Sequence, residues 1–139
     1  MKITWTIAII LGWILLIGPG SIDGRFNPVV TPAEITDIQL DPQDSRWVII
    51  SGSSTKLRAT CYPRRLDWYK GERGGEDVSI EWDWRAPAWR EDGLFEFSEW
   101  RVRAVPAEIM RDKTFADIIH QCRLFGIDYP WLTRSRFWN

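Results

Sequence analysis

Four carboxylates, Glu81, Asp83, Glu96 and Glu99, fall in two neighbouring stretches, "SIEWDWRAPAW" (79–89) and "LFEFSEWRVRAV" (94–105). A pair of carboxyl groups on facing strands is what hydrolysis of a glycosidic bond requires. Strand alternation, however, sets Glu81 and Asp83 opposite Trp82 and Trp84, so they read as a solvated face rather than a catalytic pair. The single histidine, His120, has no implied serine or thiolate partner and reads as a surface or boundary residue. No phosphate-binding loop, dinucleotide fingerprint, nucleophile elbow or metal motif is present. Asp41 and Asp44 alone make no calcium loop, and two cysteines with one histidine fall short of a four-ligand zinc site. The sequence therefore predicts no catalytic residue, no bound metal and no cofactor.

Tryptophan is the other candidate chemistry, with ten copies in 139 residues. Each ring buries a large apolar area, so the excess reads first as a tryptophan-packed core. Asp92-Gly93 is a strong hairpin signal between the two quoted stretches. An unbroken ladder from that turn would set Trp82 and Trp84 against Arg103 and Arg101 in cation–π contact. A bulge at Ser98-Glu99 instead sets Trp84 opposite Trp100 and Trp82 opposite Val102, a coherent apolar face, and that register is preferred. Trp82, Trp84 and Trp100 are then core. Trp89, Trp131 and Trp138 remain as candidate ligand contacts, able to stack on a sugar if exposed.

These residues must be held by something, and the chain offers a leader and a body. Ile3 to Ile17 carry no charge and follow Lys2. As a helix they reach about 22 Å, short of the roughly 30 Å hydrocarbon core. Residues 1–20 are read as a signal-anchor, or as a signal peptide with a poor cleavage site at "IGPGS". The anchor is the preferred form, since thinning of the bilayer accommodates short spans. Positive charge ahead of the segment favours a single pass with the amino terminus inside and the body outside, the alternative being a secreted or periplasmic body after cleavage. In that oxidising setting Cys61 and Cys122 form a disulfide, worth about 4 kcal/mol on the chain-entropy model.

Residues 21–34, rich in glycine and proline, are assigned to a linker, and 35–139 to one extracytoplasmic β-rich domain. Strands are expected at 35–40, 46–51, 55–62, 65–70, 78–84 and 94–105. Pro106 opens a short helix. Thr114 with Asp117 resembles a capping box, and Phe115, Ile118, Ile119, Cys122 and Phe125 form a helical stripe ending at Gly126. The expected fold is α+β: an antiparallel β-meander of five or six short strands, a C-terminal helix packed on one face, and a hydrophobic helix in front. The run "CYPRRLDWYKG" (61–71) resembles the cysteine-to-tryptophan spacing of immunoglobulin-like domains. The interval to Trp68 is short and Cys122 falls in a helical pattern, so that family is not assigned.

A formal net charge of −1 supplies no long-range field for nucleic acid, which is excluded as a partner. The expected function is a membrane-tethered or exported interaction or structural module without catalytic activity. Its expected partners are the membrane, through residues 3–19, and an unspecified protein or cell-envelope component. The alternative is a carbohydrate-binding or carbohydrate-cleaving extracytoplasmic domain using its exposed tryptophans.

Overall fold

Alternating apolar and polar residues, many of them β-branched or aromatic, draw most of the chain into strands. The computed structural model describes residues 2–16, 19–83, 91–110 and 113–138. Strands outweigh helices in it, so the fold is mostly β rather than α+β. Two helices, α1 (Lys2–Leu16) and α2 (Pro19–Phe26), precede β1 (Glu34–Leu40), β2 (Val48–Lys56) and β3 (Cys61–Lys70). Short β4 (Asp77–Val78) and β5 (Ile80–Glu81) follow, then β6 (Gly93–Val102), α3 (Pro106–Met110), β7 (Thr114–Leu124) and β8 (Ile127–Trp138). They form two antiparallel four-stranded sheets, ordered β1-β2-β6-β5 and β4-β3-β7-β8. One core lies between them. At its centre the Phe137 ring of β8 stands 5.6 Å from Phe97 and 5.5 Å from Trp100 of β6.

The expected C-terminal helix is strand β7, and no helix packs across a sheet at that position. The reason is burial on both faces. Every residue from Thr114 to His120 is buried, so apolar side chains occur on successive positions and a helical subset is present by coincidence. Phe125 (φ 52°) and Gly126 (φ 78°) do not cap a helix. Both sit in the left-handed region, as the two centre residues of a tight β7–β8 hairpin require. Pro130 lies within β8, where an edge position spares it a missing ladder bond.

Cys61 and Cys122 are joined, as expected, but across adjacent strands. They face each other in the β3–β7 ladder, so the bridge fastens two neighbours within one sheet. An immunoglobulin-type bridge would instead link the two sheets. The expected strand 55–62 is divided. β2 ends at Lys56 and β3 begins at Cys61, with Leu57 exposed in the turn between them.

The Ser98-Glu99 bulge is present. Ile50 pairs with Trp100 and Gly52 with Phe97, leaving one extra residue on β6, and Glu99 has φ 57°. The β5–β6 register differs from expectation by one full pleat: Ile80, not Trp82, faces Val102. Because the shift is even, the apolar face survives, and Trp82 meets Trp100 edge-on at 5.4 Å. Arg101 faces Glu81 and pairs with it at 2.6 Å, so the tryptophan–arginine ladder does not form there. Trp84 and Trp89 lie outside the described residues.

Two corrections concern the amino-terminal region. Among the described residues no helix is long and apolar enough to cross a membrane. Helix α1 has 15 residues, and the next helix begins at Pro19 and docks on the body, so the apolar run is not continued. A single-pass anchor through residues 3–19, with the body outside, is therefore not supported. The stretch assigned to a linker is built into the body. Val29 and Val30 are fully buried, and Val29 N–H donates to Ser135 Oγ at 2.9 Å. Leu57 N–H donates to Val29 O, and Ala33 N–H to Phe137 O, so this segment ties the two sheets together.

Helix α2 lies flush on β8. A methyl group on Gly20 would overlap the Leu132 carbonyl oxygen, and one on Gly24 the Arg134 carbonyl oxygen. Gly24→Ala is expected to lift α2 and cost about 2 kcal/mol, in the range of overpacked sites, measurable by denaturant unfolding. Trp100→Ala should cost about 3–5 kcal/mol, as for other buried aromatic rings. A loss below about 1 kcal/mol would remove Trp100 from the centre of the core.

Candidate functional site

Asp117 sits on the outer face of β7, opposite Asp67 of β3, and is wholly buried. Two carboxylates set across a ladder repel, and a buried one must be paired to remain charged. Three arginines answer this. Arg73, carried by the β3–β4 loop, grips Asp117 with Nε and Nη2 at 2.7 and 2.8 Å. Arg134 of β8 reaches the same carboxylate at 3.0 Å. Arg65 takes Asp67 at 2.7 Å. Burial by itself would lower the Arg134 guanidinium, but hydrogen bonds with Tyr69 and Asp117 raise it above its ordinary value.

Two further arginines, Arg25 and Arg136, make no ion pair with these carboxylates, although Arg136 faces Asp117 across the β7–β8 ladder. Arg136 stands two positions beyond Arg134 on β8, with its guanidinium 5.4 Å from the Phe115 ring centre, and Arg73 stands 5.0 Å from the same ring. Arg25 lies in the last turn of α2. Among the described residues no carboxylate pairs with Arg25 or Arg136. Together Arg25, Arg73, Arg134 and Arg136 line a cleft of about 700 Å³ between α2, the segment after it and the outer face of the sheet. Ile22, Gly24, Phe26, Pro28, Val30 and Pro32 form the rest of its wall. No acidic residue is among the described lining residues. Guanidinium groups held by a buried carboxylate beneath them are pre-positioned donors for a planar or tetrahedral anion.

The residues singled out from sequence do not assemble into this cleft. Trp131 is half-buried against Tyr129, with its indole nitrogen buried. Trp138 ends the same strand, half-buried, and packs on the core. Glu81 is bonded to Arg101, which also binds Asp41. Glu96 faces Ser53, and Glu99 sits in the β6 bulge. Among the described residues no group of three His, Cys, Asp or Glu side chains is placed to hold a metal.

His120, read as a surface or boundary residue, is fully buried on the inner face of β7, between Pro63 and Thr133. Among the described residues neither ring nitrogen has a hydrogen-bond partner. Burial, with help from the Lys56 and Arg58 charges, pushes its pKa down to about 3. Burial likewise lowers Lys56 to about 8, against the opposing pull of Asp92.

The arginines were missed because their positions, 25, 73, 134 and 136, are scattered along the sequence. One signal was available. In "TRSRF", Arg134 and Arg136 alternate with small or apolar residues, a strand pattern that sets both on one face. Comparison with family models, curated proteins and solved structures finds no match to this chain.

The histidine yields a prediction about pH. Unfolded, it takes a proton near 6.5; folded, only near 3. Between these values the unfolded chain binds more protons, so stability falls as pH falls. His120 is the only histidine. His120→Leu should therefore flatten the dependence of unfolding free energy on pH between about 6.5 and 4.5, above the range where carboxylates titrate. Urea titrations across that interval measure it, and an unchanged slope would place the ring in contact with water.

Proposed function

We propose that the protein is a small exported binding module without catalytic activity, whose arginine-lined cleft takes an anionic ligand. One observation carries this reading: four guanidinium groups converge on a single cleft in a chain whose formal net charge is −1. Arg65, Arg73 and Arg134 bond Asp67 and Asp117; Arg136, which faces Asp117 across the β7–β8 ladder without bonding it, and Arg25 add positive charge beyond those two carboxylates. Surplus like charge gathered on one surface is costly unless a counter-charge arrives, and a cleft concentrates the field that attracts one. Export is supported by the buried Cys61–Cys122 bridge, a bond that persists in oxidising compartments. Absence of catalysis is supported by the state of the acid–base candidates: His120 is enclosed in the core and Glu81 is engaged with Arg101.

Calorimetric titration with inorganic phosphate or sulfate at low ionic strength tests the reading. Binding is expected to weaken as salt is raised. Arg136→Gln should weaken it roughly tenfold, about 1.4 kcal/mol, while leaving the unfolding midpoint near its original value. Failure of the unaltered protein to bind either anion would overturn the proposal.

A further inference from the structure

We infer that the ligand of the cleft is an anionic amphiphile, with a phosphate or carboxylate head joined to an alkyl chain; this rests on the anion-binding reading above. The argument comes from the wall the arginines do not occupy. Ile22 and Phe26 lie four residues apart on α2, hence on one helix face, and both line the cleft. Phe26 is 80% exposed and Ile22 44% exposed. Pro28 and Pro32 continue the apolar surface along the next segment.

A simple inorganic anion would use the guanidinium groups and leave this wall in water. An amphiphile uses both: its head meets Arg25 and Arg136, and its chain covers Phe26 and Ile22. The volume of about 700 Å³ suits a small molecule. A single-stranded nucleic acid would want free aromatic faces for base stacking. Phe115 is already flanked by Arg73 and Arg136, which leaves Phe26 as the one aromatic ring on the open wall among the described residues.

The test is calorimetry on the full chain with inorganic phosphate and with butyl, hexyl and octyl phosphate below their micelle concentrations, at one ionic strength. Affinity should rise about two- to fourfold per methylene, as for partial to full burial of each group. Phe26→Ser should remove most of that gain, so that butyl and octyl phosphate bind it with nearly equal affinity. Arg136→Gln should weaken every member of the series by a similar factor. Melting curves check that each variant folds, which the exposure of Phe26 favours. If inorganic phosphate binds and octyl phosphate binds no tighter, the amphiphile inference is wrong and the anion reading stands. If neither binds, both fall. Equal binding of octyl glucoside and octyl phosphate would also overturn the amphiphile inference, since the chain would then bind without its anionic head.

Discussion

The buried carboxylate of Asp117 sets the terms for one whole side of the molecule. A charge removed from water in the middle of a sheet is tolerated only when paired, and breaking such a pair costs far more than forming it contributes. Asp117 therefore fixes the β3–β4 loop, through Arg73, and the register of β8, through Arg134. Gly71 and Gly74, at φ 75° and 80°, let that loop fold back over the sheet far enough for Arg73 to arrive. The facing Asp67 raises the local demand for cations and draws in Arg65. A basic surface thus begins as the solution to a structural problem in the ladder, and Arg25 and Arg136 carry it beyond neutrality.

The same strand presents a different problem on its other face. Here β7 turns Ala116, Ile118, His120 and Cys122 toward the core, with the disulfide at one end and His120 beside it. Lys56 enters this interior from β2, and its charge adds to the desolvation that keeps His120 neutral. Acidification therefore loads the interior with charge it is not built to hold. The interior also touches the cleft's wall: Thr133, opposite His120, donates from its hydroxyl to Asp23 of α2 at 2.8 Å, and α2 forms one wall of the cleft.

The middle of the chain was legible because its strands obey alternation with one face wet. The Ser98-Glu99 bulge and the burial of Trp100 follow from period-two patterns and cross-strand pairing, while residues 35–40 read as a short apolar run bounded by a turn. Legibility ended where a strand is buried on both sides. In "TFADIIHQCRL" a helical stripe can be drawn through the apolar residues, and Phe125-Gly126 imitates a helix cap. The cysteine pair was identified correctly while the element carrying Cys122 was not, since an inward position on a helix stripe is also an inward position on a strand. The cleft was hidden for a related reason. Its arginines become neighbours only once β8 is a strand and the loop bearing Arg73 closes over it, and both depend on β7.

Helix α2 shows how the edge of the sheet and the cleft are one construction. An edge strand leaves a row of unpaired backbone groups, and β8 is such an edge. Glycines at 20 and 24 let the helix backbone settle against the Leu132 and Arg134 carbonyls, a contact that any larger residue would prevent. With its glycine face against β8, α2 directs Ile22, Arg25 and Phe26 to the cleft. The glycine spacing that shields the edge therefore also fixes the position of the apolar wall relative to Arg134 and Arg136. A substitution that lifts the helix would change the cleft's width and expose the strand together.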